Sequence, residues 1–231
     1  MPHFDLSLLL AGQYRDWLLA GLRLSLELTA ITLVLALPLA LAVALMRLSP
    51  VRLLRAMGLV FVEGIRNVPL LVHMLFWYFG APELLPEPLR ERLNEGNFEA
   101  LSAIVALTLY TAAYMSEDVR SGVRAIPSVQ LEAGRALGFG YLTSMRLIVL
   151  PQALRIIVPP LISQTLNLWK NTSIATVIGV GELMYQAAKV EAASFRSAEA
   201  FSFATISYLS VSLFITALAA WYQRRHPLRT A

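Results

Sequence analysis

The side chains able to do chemistry in this chain are few, and they stand among apolar residues. Glu63 and Arg66 are three apart, as are Glu117 and Arg120; Lys170, Asn171, Thr172 and Ser173 follow one another. A carboxylate and a guanidinium three apart share a helix face and can pair. An ammonium beside an amide and two hydroxyls can hold a carboxylate. This is the chemistry of binding and moving charge. No catalytic residue is expected, because the sequence has no G-x-x-x-x-G-K-[ST], no H-E-x-x-H and no G-x-S-x-G. Zero cysteines exclude disulfides and thiolate sites. His3, His73 and His226 are too scattered to form a metal constellation, so no metal is expected.

The elements that must position these groups are apolar. Of 231 residues, 57% are hydrophobic and only 15% charged, against about 25% charged in an average soluble chain. Mean hydropathy is +0.63. A soluble domain of this size could not hide so much apolar surface, so a lipid bilayer is the expected solvent. The formal net charge is +4. Its arginines sit between apolar runs, as in loops facing a cytoplasm, and do not point to nucleic acid. The first residues, 1–14, lack a basic n-region and a small-residue cleavage site, and read as a mature end.

A helix needs about 20 apolar residues to span a bilayer. Five spans are expected, over about 18–46, 57–79, 98–117, 152–170 and 200–222. The first carries Arg23 and Glu27, four apart, which read as a structural pair near the interface. The second is interrupted by Glu63, Arg66 and Pro69. Proline breaks a helix, and a break persists in a membrane only where protein or water satisfies the freed backbone groups. A polar connector, 81–97, carries Glu83, Glu87, Glu91 and Glu95. The stretch 118–151 is too charged to span and too helix-like for a linker, so two short helices are expected in it. Pro159 and Pro160 predict a kink in the fourth span.

Arginine distribution sets the orientation. More than half of the 19 Lys and Arg fall in 47–55, 118–151 and 223–231. These segments lie on one side of a five-span chain and so belong inside. The N-terminus is then outside, the C-terminus inside, and 118–151 is the largest cytoplasmic element. No internal repeat is visible. One unrepeated five-helix bundle is too small to enclose a solute path, which calls for pairing with itself or a homologue.

Within that cytoplasmic stretch the sequence reads Glu132-Ala133-Gly134, then three residues, Gly138, nine residues, and Ile148-Val149-Leu150-Pro151. This resembles the EAA motif of ABC importer permeases, with Gly134 in place of the second alanine. Arg66-Asn67-Val68-Pro69-Leu70-Leu71 and Phe76 to Gly80 resemble the second span of the polar amino acid subfamily. Ala113 to Gly122 resembles its third-span exit, and Lys170 to Ser173 with Ile178-Gly179 its segment after the fourth span. The stretch from Leu154 through Leu183 is most similar to a glutamate/aspartate permease subunit. Many relatives carry an acidic residue where this chain has Asn171, and losing that charge would suit an anionic substrate.

The resemblance implies an all-α integral membrane permease in the bacterial inner membrane, with five spans, N-terminus outside and C-terminus inside. It implies a coupling helix around Glu132, Ala133, Gly134, Gly138, Ile148, Leu150 and Pro151, docked on a cytoplasmic ATPase dimer. That partner binds ATP and Mg; this chain holds no cofactor. A second permease subunit, identical or homologous, and an extracytoplasmic amino-acid-binding protein complete the implied importer. Glu132 is expected near a helix N-terminus, Gly138 in the turn between two short helices, and Pro151 at the start of the fourth span.

For the ionisable residues in spans, two readings stand side by side. Glu63 and Arg66 either pair or place Arg66 at an inner gate. Glu117 and Arg120 form a gating or structural pair. Lys170 either snorkels to the interface or, if the helix breaks there, joins Asn171, Thr172 and Ser173 around a carboxylate. A passive channel or structural membrane protein is the rival from another class. It would have no need of the Glu132–Pro151 spacing.

Overall fold

The computed structural model describes residues 12–94 and 96–225. The expectations for the N-terminal end, for Glu95 and for His3 and His226 fall outside these residues.

Among the described residues, four helices are long and apolar enough to cross a membrane: Gly12–Leu48, Phe98–Arg124, Tyr141–Ile178 and Ser197–Arg225. A fifth span is a broken pair, Arg52–Arg66 and Leu70–Leu84, bent by 99°. In chain order the helices are α1 (Gly12–Leu48), α2 (Arg52–Arg66), α3 (Leu70–Leu75), α4 (Glu87–Asn94) and α5 (Phe98–Arg124). Then come α6 (Ser128–Ala136), α7 (Tyr141–Ser144), α8 (Leu150–Asn171), α9 (Leu183–Ser194) and α10 (Ser197–Arg225). The helices are longer than the spans expected from hydropathy. Helices α1, α5 and α10 run past the bilayer-length apolar core into charged residues, which exposed helix ends tolerate.

The break in the second span falls at Asn67–Pro69. Pro69 has no N–H to donate and disfavours helical geometry at Val68. Glu63 keeps its helical bond from the Asn67 backbone N–H at 3.3 Å and also accepts from that residue's side-chain amide at 2.8 Å. The carbonyl that loses its partner to Pro69 is that of Ile65. Ile65 accepts from the ring Nε2 of buried His73 at 3.0 Å. This answers, inside the protein, the requirement that a bilayer imposes on broken helices.

Small residues let α1 and α5 approach closely. Ala36 and Ala40 of α1 pack on Ala112 and Met115 of α5, and Ala44 packs with Val119, Ala153 and Ile157. Further along, Leu28, Leu70, Met74, Ala103, Leu107, Leu168 and Ile178 form the central core. Leu18, Leu183, Ala187, Val190, Ala200 and Ala204 close one end of the bundle. The other end, the α6 end, gathers Leu45, Val123, Leu131, Tyr141 and Val149 around a cleft. Helix α10 leaves Ile206, Leu209, Leu213, Phe214, Leu218 and Trp221 exposed. That surface has the character of one that meets lipid or another membrane subunit.

The segment between the third and fourth spans differs from expectation. Helix α5 continues to Arg124, and only α6 is a separate short helix. Helix α7 runs through a wide π-turn, Met145–Val149, directly into α8. Pro151 stands in the first turn of α8, as expected, while the helical path continues through the π-turn before it. Its ring crowds a preceding carbonyl in a regular helix, and the widened turn just before it relieves that crowding.

Candidate functional site

Two regions bring the sequence-selected residues together: the α6–α7 hairpin at one end and a polar cavity between α5 and α8.

In the hairpin, α6 ends in a Schellman turn. Phe139 N–H donates to the Gly134 carbonyl at 3.0 Å and Gly138 N–H to the Arg135 carbonyl at 2.9 Å. Gly138 has φ +78°, a conformation that an L side chain adopts only under strain. Gly134 is buried against the α7 segment: a Cβ there would lie 2.6 Å from Ser144 Oγ and 3.0 Å from Ile148 Cδ1. The glycine in place of the motif's second alanine is thus an internal packing feature. Ala133 and Glu132 are exposed on the opposite side. Glu132 stands at the middle of the nine-residue helix and not in its first turn, so the dipole role expected for it does not arise. Around it Val129 (58%), Leu137 (71%), Tyr141 (59%), Leu142 (81%) and Leu147 (59%) are exposed. Leu150 is exposed as well, while Ile148 is half-buried under α6. These apolar side chains belong to α6, the turn after it and the start of the helix Tyr141–Ile178, and exposed apolar surface of this extent marks a contact surface.

The cavity, about 420 Å³, is lined by Tyr110, Thr111, Tyr114, Gln164, Asn167, Leu168, Lys170 and Asn171. Its size suits a small polar solute. Lys170 is exposed and is the one charged side chain in the lining. The amide of Gln164 donates to Asp118 at 3.1 Å, and Asn167 donates to Gln164 at 3.4 Å. Tyr110 donates its hydroxyl proton to Tyr114 at 3.4 Å. The guanidinium of Arg66 lies 4.8 Å above the Tyr114 ring, a favourable cation–π distance.

Of the predicted residues, Lys170 and Asn171 line this cavity, Arg66 reaches only the Tyr114 ring in its wall, and Thr172 and Ser173 do not line it. Thr172 is fully buried and donates to the Trp169 carbonyl at 2.8 Å; Ser173 donates to the Lys170 carbonyl at 2.8 Å. The chain continues past α8 as a 3-10 helix, Thr172–Ile178. No new helix N-terminus faces the cavity there. Glu63 does not pair with Arg66: its carboxylate accepts from Asn67 at 2.9 Å. Glu117 holds Arg120 at 2.7 Å and Arg47 at 3.3 Å, so the expected pair is a three-member network joining α5 to the end of α1. Arg23 and Glu27 pair at 2.7 Å on an exposed face.

Sequence reasoning passed over the cavity's other walls. Asn167 precedes Lys170 by three residues and Gln164 precedes Asn171 by seven, helical spacings that share a face, and that signal was readable. Glu182 was missed as a hub. It is fully buried at the N-cap of α9, accepts from Met184 and Tyr185 N–H at 3.0 and 2.9 Å, and binds Ser25 and Tyr208 hydroxyls at 3.2 and 2.9 Å.

Residues 36–226 match the family described as binding-protein-dependent transport system inner membrane component. The chain belongs to that family. Among its relatives is the glutamate/aspartate import permease protein GltJ of Escherichia coli strain K12. That protein is 33% identical over 216 residues, covering 92% of this chain and 88% of GltJ. The probable glutamine ABC transporter permease protein GlnM of Bacillus subtilis is 39% identical over 172 residues, covering 74% and 76%. The arginine transport system permease protein ArtQ of the same species is 31% identical, covering 90% and 92%. A crystal structure of an amino acid ABC transporter with histidines superposes with a TM-score of 0.85 at 27% identity, covering 97% of this chain and all of that one.

Proposed function

We propose that this chain is the translocating permease subunit of an ATP-driven amino acid importer in a bacterial inner membrane, and that its solute is an acidic amino acid, glutamate or aspartate. The observation that carries the solute class is the cavity lining. It presents one ammonium, from Lys170, with amides and phenols around it and no carboxylate in the wall. A side-chain carboxylate would meet the Lys170 ammonium there, with the Asp118 carboxylate held behind Gln164 by its amide at 3.1 Å. The likeness to a glutamate/aspartate permease over 92% of the chain supports the same reading.

In this reading the α6 end faces the cytoplasm, with the N-terminus outside and the C-terminus inside. Arg47, Arg52, Arg55, Arg120, Arg124, Arg135 and Arg146 all belong to segments that meet at that end, as positive-inside orientation requires. The exposed apolar hairpin around Glu132, Ala133, Gly138 and Leu150 seats in a dimer of ATPase subunits, which binds ATP and Mg. A second permease, identical or homologous, supplies the other half of the path, and a binding protein delivers the solute outside. Arg66, Glu117 and Arg120, between the cavity and the α6 end, form the inner gate; Glu63 steadies the break through Asn67. Closure of the ATPase dimer draws the two hairpins together and opens the bundle outward.

A second solute reading, glutamine, is favoured by the Gln164 and Asn167 amides and by the likeness to a probable glutamine permease. Uptake of labelled glutamate into proteoliposomes containing the assembled importer, competed with unlabelled aspartate, glutamine or arginine, separates the two. Competition by aspartate alone supports the acidic reading. Competition by glutamine alone replaces it, and passage of solute without ATP returns the chain to the channel class.

A further inference from the structure

A separate cleft at the α6 end is lined by five guanidinium groups from three helices. Arg47 comes from the last turn of α1, Arg52 and Arg55 from the start of α2, and Arg120 and Arg124 from the end of α5, with Ala56 and Leu59 between them. It encloses about 390 Å³. One carboxylate, Glu117, answers Arg47 and Arg120. Arg52, Arg55 and Arg124 have no carboxylate partner among the described residues. Like charges gathered this closely repel one another, and an anion in the cleft would relieve that repulsion.

We infer that this cleft is a binding site for the headgroup of an anionic phospholipid. Its arginines stand at helix ends that leave the apolar spans, the level at which lipid phosphates lie. Guanidinium groups bind phosphodiester oxygens through paired N–H donors, and basic pockets between membrane helices bind such headgroups. The same helix supplies a place for acyl chains: Leu53 (69%), Met57 (52%) and Val60 (72%) of α2 are exposed beside the arginines. Neither α6 nor α7 lines the cleft, so it is distinct from the apolar hairpin assigned to the ATPase. A free anion would use the guanidiniums but gain nothing from the apolar flank of α2. Lipid bound here would brace α2 against α1 and α5, close to the Asn67–Pro69 break.

The test is native mass spectrometry of the full chain purified from nanodiscs of phosphatidylcholine with phosphatidylglycerol. The wild type should retain phosphatidylglycerol selectively, and inorganic phosphate or glycerol phosphate should not displace it. The variant R52Q/R55Q/R124Q should lose that selectivity by roughly a hundredfold, from three cations at the membrane surface. A control, R224Q/R225Q, removes charge from the exposed end of α10 and should retain it. Equal loss in both variants would reduce the effect to general surface charge and overturn the site. Displacement by glycerol phosphate would show a site for small anions instead of lipid. Retention of phosphatidylglycerol by the triple variant would also overturn the proposal, and circular dichroism of both variants controls for folding.

Discussion

A Cβ atom on Gly134 would stand 2.6 Å from the Ser144 hydroxyl, closer than non-bonded atoms approach. The α6–α7 hairpin is therefore closed on a contact at which an added methyl group requires Ser144 to shift. Gly134→Ala should cost about 1–3 kcal/mol through overpacking, lowering the midpoint of thermal unfolding and weakening ATPase retention. Adding Ser144→Gly to that variant should restore both. Failure of the second change to rescue would show that Gly134 acts through the partner and not through Ser144.

Gly138, at φ +78°, sets the direction of the chain between α6 and α7. Gly138→Val places a β-branched residue in left-handed geometry, at a cost of about 1–2 kcal/mol. Solute-stimulated ATP hydrolysis should fall at least tenfold while solute binding to the permease is kept.

The sequence carried the all-helical membrane class and the family because each rests on a local signal: apolar run length and a spaced motif. It did not carry the partners of Glu63 and Arg66. Three residues apart, they pair in a regular helix, but the break at Pro69 brings Asn67 back onto Glu63 and leaves Arg66 to Tyr114, distant in sequence. Thr172 reads as a polar binding residue until the 3-10 turn after α8 rotates it into the core. Glu182 looks like an ordinary helix start. Its burial against Ser25 and Tyr208 depends on contacts across more than 20 residues.

Glu182 ties α1, α9 and α10 through four donors. Glu182→Ala should leave those donors unmatched and cost about 3 kcal/mol, from a lost N-cap and lost charged hydrogen bonds. Thermal unfolding of the detergent-solubilised protein checks this. Glu182→Gln, which keeps an acceptor oxygen, should lose less, and neither change should alter solute preference.

Lys170 is the charged wall of the cavity. Lys170→Gln should raise the half-saturating concentration for glutamate uptake about tenfold or more, the loss of a charge-assisted hydrogen bond of about 1.5–3 kcal/mol. Competition by glutamine should change little. An equal loss for both solutes would assign Lys170 to structure.

The central claim is that solute passage here is coupled to an ATPase through the α6–α7 hairpin. It is tested most directly by measuring ATP hydrolysis and glutamate uptake together in proteoliposomes holding the chain, its ATPase and its binding protein. Hydrolysis should rise severalfold with glutamate-loaded binding protein, uptake should rise with it, and Gly138→Val should cut both stimulated rates at least tenfold. Uptake that proceeds without ATP, or hydrolysis indifferent to Gly138→Val, would contradict it.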